Sequence, residues 1–312
     1  MIKVSILIIA YNAKQYIPAT LDSCIHQTYS NTEIIVVDDG SLDGTADIIK
    51  NYALRDSRIR YIYQKNSGPV LARKRAMAEV GGEYFFFLDA DDTLPLNSIH
   101  ALVAESLRSN SDIVLGRTQH LKENGDFIGD INYIPLARLN VTSFLSALVK
   151  TGQGHIWGLL IKSNLISSVT YYPQNVSLGE DLILLLQLIK DSSLISKTET
   201  IIYNYYYRDN SMINSKIDID KEVFRAINLI RSLYVLINSN IVRAEHHCFL
   251  KQMIINHVYN TSSTEVTLQI LKKEEKIKNL LLSYSTIKEI FFKTPKLYLG
   301  MIRLLVKSQI TA

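Results

Sequence analysis

The chain has 312 residues, 47% of them hydrophobic, which is enough apolar material to fill one large domain or two ordinary ones. A net charge of +4 is too small for a surface that binds nucleic acid along its whole length. The cysteines, Cys24 and Cys248, fit neither a disulfide framework nor a metal-ligand spacing. The apolar N-terminal run lacks the length of a membrane span and the cleavage site of a signal peptide. These features exclude a disulfide-rich secreted domain and favour a folded cytoplasmic protein.

The first hundred residues alternate between strand-like and helix-like segments, which is typical of an α/β sheet with crossover helices. Apolar, β-branched runs predict strands buried on both faces, and apolar residues at helical spacing predict the helices between them. The predicted strands are residues 3–10, 32–41, 58–64 and 82–89. The predicted helices are residues 16–29, 45–53 and 69–80.

The pattern changes after the first hundred residues. One more helix and strand are predicted within residues 94–117, and from about 116 to 138 the sequence becomes polar and turn-rich. Helices are predicted at residues 140–150 and 180–190, on either side of a glycine-rich segment at 151–160. From residue 221 onward the pattern is almost wholly helical.

Three polar clusters follow three of the predicted strands. They read AYN at 10–12, VDDGS at 37–41 and DADD at 89–92. In open α/β sheets, ligands bind outside the carboxyl ends of the strands. One such cluster is equally well explained by helix caps and tight turns. Three of them at one edge predict a binding site.

The segment FLDADDT at 87–93 is compatible with two kinds of enzyme. As Asp-x-Asp-x-Thr it resembles the opening motif of haloacid-dehalogenase-like phosphatases, which would make Asp89 a nucleophile. As Asp-x-Asp it resembles the metal site of nucleotide-sugar glycosyltransferases. The local motif does not choose between them, because both chemistries use a divalent cation.

The order of the motifs favours the second kind. The segments at 4–12, 21–45, 66–73 and 81–92 together resemble the inverting glycosyltransferase family two, of the bacterial surface-polysaccharide type. The resemblance implies a GT-A fold, an α/β architecture in which helices flank a Rossmann-like, mostly parallel sheet, with a mainly helical C-terminal region. It divides the chain into a nucleotide-sugar-binding half (1–115), a half for the acceptor and the catalytic base (116–215) and a helical region (216–312).

The resemblance also assigns donor-site roles. The residues that match nucleotide-sugar-binding positions are Ala10, Tyr11, Asn12, Asp39, Asn66, Arg73, Asp89, Arg208 and Ser211. Lys74 stands where the family usually has asparagine, which adds positive charge beside the expected diphosphate. Asp91 matches the principal metal ligand and Asp89 a second one, for Mn²⁺ or Mg²⁺. Asp92 is expected to cap the next helix.

The remaining catalytic requirement is a base for the acceptor hydroxyl. The segment VSLGEDLILLLQL at 176–188 resembles the family's Glu-Asp motif, which implies Asp181 as the base and Glu180 as an acceptor-binding residue. Trp157 matches an aromatic residue that lines the acceptor pocket, although the only tryptophan of the chain could equally be a core residue. His155, beside it, is a weaker acceptor-site candidate.

The C-terminal tail combines bulky apolar residues with spaced lysine and arginine side chains. Such a composition suits a helix lying on an anionic membrane, and it suits equally a helical cap on the protein's own core. The expected partners are a UDP-sugar donor and a saccharide acceptor, lipid-linked in many relatives, at the inner face of the cell membrane. A catalytically silent assembly subunit is the non-enzymatic alternative.

Overall fold

The structure is a computed structural model. It describes residues 1–130, 138–151, 154–173, 176, 179–208 and, further on, 227–229, 231–233, 235–237, 241–247 and 249. Ser211, Cys248 and the C-terminal tail lie outside the described residues, so the predictions made for them stay predictions.

The described part of the chain contains nine strands and six α-helices with defined bounds, besides short 3₁₀ helices and further helical residues. The strands are β1 (Val4–Ala10), β2 (Thr32–Asp38), β3 (Ile59–Tyr63), β4 (Tyr84–Asp89), β5 (Ile113–Lys122), β6 (Phe127–Asp130), β7 (Arg138–Leu139), β8 (Leu159–Lys162) and β9 (Ile195–Tyr207). The helices are α1 (Ile17–Ile25), α2 (Thr45–Arg55), α3 (Pro69–Ala78), α4 (Ser98–Ser109), α5 (Val141–Thr151) and α6 (Glu180–Leu188).

All nine strands belong to one sheet, in the order β3-β2-β1-β4-β8-β5-β9-β7, with β6 paired to β5. Strands β3, β2, β1 and β4 are parallel neighbours, as are β5 and β9. Strand β8 runs antiparallel between β4 and β5. The mostly parallel arrangement follows from the crossover helices, which return the chain to the same end of the sheet after each strand.

The two faces of the sheet each bury a hydrophobic core. Along β1, Leu7 belongs to one core, whereas Ile6 and Ile8 belong to the other. Strand β4 alternates in the same way, with Phe85 and Phe86 on opposite faces. Successive side chains of a strand point to opposite faces, so an unbroken apolar run is buried only where both faces are covered. This explains why the predicted central strands are confirmed.

Two segments differ from the sequence-based expectation. The region after residue 116 was expected to be turn-rich, but β5 continues to Lys122 and forms a hairpin with β6. Strand β8 lies in a segment for which no strand was predicted. Both are ordered by their neighbours in the sheet: at Gly116, for example, a Cβ atom would lie 1.9 Å from the side chain of Ile202 on β9. Only glycine allows this approach.

Among the described residues, no helix has the length and apolarity needed to cross a bilayer.

Candidate active site

The three polar clusters lie at the same edge of the sheet. Ala10 at the end of β1 pairs in register with Asp38 of β2, and Ile9 pairs with Asp89 of β4. The loops that follow these strands therefore start side by side, as expected for the carboxyl ends of parallel strands.

Asn12 connects the first two of these loops. It adopts a positive φ of 50°, which asparagine tolerates better than most residues. Its backbone N–H donates to Ser41 Oγ at 2.9 Å, and its side-chain oxygen accepts from the Leu42 N–H at 2.9 Å. Ala10 is fully buried, whereas Tyr11 is 53% exposed. Of these three candidate residues, Tyr11 and Asn12 are thus exposed, and Tyr11 provides the aromatic ring.

Asp39 is buried and organises the loop that precedes α3. Its carboxylate accepts hydrogen bonds from Gln64 Nε2 at 2.7 Å, the Ser67 N–H at 2.8 Å and the Gly68 N–H at 2.9 Å. Asn66 is exposed within the same loop. A carboxylate has about four acceptor positions, so Asp39 retains capacity for one further donor.

The acidic run at the end of β4 separates into residues with different environments. Asp92 is only 1% exposed and accepts hydrogen bonds from Tyr203 Oη and the Tyr206 N–H, both at 2.9 Å. Helix α4 begins only at Ser98, so the expectation that Asp92 caps the next helix is wrong. Through these two hydrogen bonds, Asp92 instead connects the end of β4 to β9. The sequence did not indicate that Tyr203 would be a partner of Asp92.

Asp89 is half-buried, and its own N–H donates to Tyr203 Oη at 3.2 Å. Burial raises the pKa of Asp89 to about 7; Arg73 opposes this shift, and the nearby carboxylates of Asp181 and Asp91 add to it. At Asp89, burial and the neighbouring carboxylates therefore outweigh the positive charge of Arg73.

Arg208 lies directly against the predicted metal ligand. Its Nη1 is 2.9 Å from Asp91 Oδ2, and its Nη2 also donates to the Asp91 carbonyl oxygen. The same guanidinium lies 3.9 Å from Asp92 Oδ1 and 3.6 Å from Glu123 Oε1, and it stacks over the Tyr16 ring at 4.2 Å. A predicted anion-binding residue and a predicted metal ligand thus form an ion pair in this structure.

The donor set suits a hard divalent cation. The described residues contain no group of three or more His, Cys, Asp or Glu side chains arranged to hold a metal. Mg²⁺-type sites, however, commonly use one or two carboxylates, with phosphate oxygens and water as the other ligands. Asp91, whose side chain is 45% exposed, and the nearby Asp89 meet that requirement. The Arg208 guanidinium shows that this position accepts a positive charge.

Helices α3 and α6 meet at a buried ion-pair cluster. Arg73 of α3 is 8% exposed; its Nη2 lies 2.8 Å from Asp181 Oδ1, and its Nη1 lies 3.4 Å from Glu180 Oε1. Burial raises the pKa of Glu180, as does the charge of Asp181, while Arg73 opposes the shift. Lys74 is exposed and lies over the Tyr172 ring at 4.6 Å. Arg73 therefore contacts the predicted base, although sequence reasoning placed it near the diphosphate.

Trp157 is the centre of an aromatic stack. Its ring lies nearly parallel to those of His155, Tyr203 and Tyr205, at centroid distances of 4.4, 4.9 and 5.7 Å. It also forms a bridge with Phe87 of β4 and is only 8% exposed. The stack places the predicted acceptor segment at the end of β4. Within this segment, His155 is exposed to solvent, whereas Trp157 is not.

The raised pKa of Asp89 predicts a pH-dependent effect of the Asp89→Asn substitution. In an unfolded chain, aspartate titrates near pH 3.9, so the folded protein retains an extra proton between about pH 4 and pH 7 and loses stability as the pH rises through this range. Asparagine cannot ionise. In EDTA and without nucleotide, the melting temperature of Asp89→Asn should exceed that of the wild type by a margin that widens from pH 4 to pH 7.

Each kcal/mol of destabilisation that the substitution removes should raise the melting temperature by roughly 2–4 °C. The Asp47→Asn variant is the control, because Asp47 is exposed on α2. A margin for Asp89→Asn that stays constant with pH would contradict the raised pKa.

Comparison with known proteins assigns the fold and motifs to a family. A family model described as glycosyl transferase family 2 matches residues 5–157, which include the three polar clusters and Trp157. Residues 5–157 belong to glycosyltransferase family 2. The segment FLDADDT is therefore the glycosyltransferase motif, and the phosphatase alternative is excluded.

The similarity to known glycosyltransferases extends beyond the residues that the family model matches. Glycosyltransferase GlyA of Streptococcus pneumoniae is 28% identical over 293 residues, covering 90% of this chain and 41% of GlyA. The chain thus spans about two fifths of the length of that relative.

Solved structures confirm the GT-A fold that the family resemblance implies. The structure of S. aureus TarS residues 1–349 in complex with UDP-GlcNAc aligns with a TM-score of 0.66 and 18% identity, over 89% of this chain and 83% of that TarS fragment. The mannosyltransferase PcManGT from Pyrobaculum calidifontis, in complex with GDP-Man and Mn²⁺, aligns with a TM-score of 0.57 and 16% identity, over 98% of this chain and 86% of PcManGT.

Proposed function

We propose that this family 2 glycosyltransferase transfers one sugar from a UDP-sugar to a saccharide acceptor with inversion, using Asp181 as the general base and a divalent cation at Asp91 and Asp89. The observation that carries the proposal is the buried Arg73, which contacts Asp181 at 2.8 Å and whose charge also acts on Asp89. One residue thus links the candidate base on α6 to Asp89, the candidate metal ligand at the end of β4. The UDP-GlcNAc complex of TarS supports the choice of donor.

The donor is assigned to the loops after β1 and β2. Tyr11 offers an exposed ring for stacking on the uracil base, and Asp39 has acceptor capacity for the uracil N–H. Asn66 lies in the loop that Asp39 organises. The Mn²⁺ complex of PcManGT supports a metal-assisted mechanism, in which a bound divalent cation would offset the charge of the departing diphosphate.

The chemical step is a displacement at the anomeric carbon. The acceptor oxygen forms a bond to C1 while the bond from C1 to the phosphate oxygen breaks, and its electron pair leaves with UDP. Asp181 accepts the proton of the acceptor hydroxyl. Arg73 holds Asp181 in place, and Glu180 lies beside it in the first turn of α6 for contact with the acceptor.

We propose that Arg208, Lys74 and Ser211 contact the phosphate groups of the donor. Arg208 pairs with Asp91 in this structure, so a cation bound at Asp91 would release the guanidinium for the diphosphate. Lys74 lies one residue from Arg73 on α3.

The cellular part of the proposal rests on the family resemblance. We propose an acceptor of surface-polysaccharide or lipopolysaccharide synthesis, lipid-linked, and a cytoplasmic protein held peripherally at the inner face of the membrane. Residues 1–115 would then bind the donor, residues 116–215 would bind the acceptor and supply the base, and residues 216–312 would make the membrane contact.

Titration calorimetry with UDP tests the donor site and its metal. Wild-type protein should bind UDP in the presence of Mn²⁺ or Mg²⁺ and lose at least roughly tenfold in affinity in EDTA, since phosphate oxygens complete the ligand set of the cation. The Asp91→Asn variant should bind UDP equally weakly with and without metal and should transfer no sugar.

The Asp47→Asn variant is again the control, because it removes an exposed carboxylate of the same size in the first turn of α2. UDP binding that is indifferent to metal in the wild type would contradict the cation site. Absence of turnover in a donor screen that measures UDP release, despite tight UDP binding, would favour the silent assembly subunit.

A further inference from the structure

The aromatic stack around Trp157 ends in an exposed histidine. Trp157 is itself covered, with its ring against Tyr203 and Tyr205 as well as His155. His155 lies on Trp157 at a centroid distance of 4.4 Å with the two planes 17° apart, and the residue remains exposed. The protein thus holds one exposed flat ring against Trp157, whose own ring stacks with two tyrosine rings.

His155 lies next to the helix that carries the candidate base. The neighbouring residue, Gly154, packs so closely on α6 that a Cβ atom at this position would lie 2.9 Å from Leu182 Cβ. Leu182 directly follows Asp181 in the first turn of that helix. The negative charge of Asp181 reaches the imidazole of His155 and favours its protonated form.

The imidazole is nevertheless neutral near pH 7. The surrounding protein atoms partly desolvate the imidazole and lower the pKa of His155, and this effect outweighs the opposing charge of Asp181. A neutral imidazole offers one N–H donor and one acceptor nitrogen. Sugar hydroxyls both donate and accept hydrogen bonds, and the C–H faces of a pyranose pack on flat rings. The chemistry of the exposed ring therefore suits a sugar.

We propose that His155 is an acceptor-binding residue, whose open ring face packs against the pyranose that presents its hydroxyl to Asp181 and whose ring nitrogen hydrogen-bonds that sugar. The proposal rests on the proposed function and assigns its acceptor subsite. The sequence resemblance implied an acceptor contact for Trp157. We assign that contact to His155, and Trp157 supports the ring of His155 from within the stack.

Trp157 itself reports on this subsite, because it is the only tryptophan of the chain. Its fluorescence is excited at the red edge of indole absorption, where tyrosine does not absorb. Wild-type protein saturated with UDP and Mn²⁺ is titrated with the methyl α- and β-pyranosides of glucose, galactose, mannose, N-acetylglucosamine and N-acetylgalactosamine. At least one pyranoside should produce a saturable change in emission.

Two variants separate stacking from hydrogen bonding. His155→Ala removes both and should weaken binding of that pyranoside by roughly tenfold or more, whereas His155→Phe keeps the flat ring and should give an intermediate loss. His100→Phe is the matched control. His100 lies on α4, is also exposed and contacts an aromatic ring, that of Tyr29. It should bind the pyranoside like the wild type.

Calorimetry with UDP and Mn²⁺ on the same proteins keeps this proposal distinct from the donor site. Unchanged UDP affinity in both His155 variants, with weakened pyranoside binding, supports an acceptor role and excludes a general loss of structure. Equal pyranoside affinity in His155→Ala and the wild type overturns the proposal, and so does a wild-type protein that binds UDP but responds to no pyranoside. Failure of the wild type to bind UDP would instead refute the proposed function.

Discussion

Replacing Asp181 with asparagine is expected to lower the rate of sugar transfer by about 10²–10⁴-fold, the usual contribution of a general base. Asparagine has nearly the same size and keeps its place at the start of α6, but its amide oxygen cannot take up the proton of the acceptor hydroxyl. UDP affinity should be retained, because Asp181 lies on α6 and not in the loops after β1 and β2. Initial rates of UDP release at saturating donor, together with UDP calorimetry, measure the two effects separately.

Glu180→Gln is the comparison variant, since Glu180 is the adjacent carboxylate and contacts the same arginine at 3.4 Å. We expect a smaller loss, expressed mainly as a higher KM for the acceptor. A large fall in kcat for Glu180→Gln, with Asp181→Asn still active, would transfer the role of base to Glu180. Loss of UDP binding in Asp181→Asn would instead show that Asp181 serves the donor.

Arg73→Met is expected to cause the largest loss of stability. Arg73 is buried and compensates the charges of Asp181 and Glu180, and it also opposes the rise in the pKa of Asp89. Methionine fills a similar volume without a charge, which leaves these carboxylates without their buried counter-ion. Removal of one partner of a buried ion pair costs about 3–5 kcal/mol, so the free energy of unfolding in urea should fall by that amount.

Arg75→Met provides a control on the same helix. Arg75 pairs with Glu79 at 3.0 Å, but its side chain is 53% exposed, and surface pairs contribute only about 0–1 kcal/mol. In the double variant Arg73→Met with Asp181→Asn, part of the lost stability should return, because one unpaired carboxylate is gone. A loss for Arg73→Met no larger than that for Arg75→Met would contradict the buried cluster.

The strands and the candidate donor site were accessible to sequence reasoning because their signals are local. An apolar run such as residues 84–88 predicts a strand buried on both faces, and the acidic residues that follow it must lie where that strand ends. Placing Ala10, Asp39 and Asp89 at one edge required only the rule that parallel strands end together. Strand β8 and the second half of β5 were missed because their neighbours in the sheet order them, and their own residues carry a weaker pattern.

The sequence by itself determined the four strands β1 to β4, the ligand-binding edge of the sheet and the family resemblance, because hydrophobic periodicity and motif order are properties of consecutive residues. The tertiary structure alone decided the contacts between distant segments. Arg73 meets Glu180 across 107 positions of the chain, Tyr203 meets Asp92 across 111, and Arg208 meets Asp91 across 117. Such pairs depend on how helices and strands pack, and no local pattern records which charged side chain will face which partner. For that reason the sequence identified the Glu-Asp motif, Arg73 and His155 as candidates, whereas only the fold showed that Arg73 contacts the motif and that His155 stacks on Trp157.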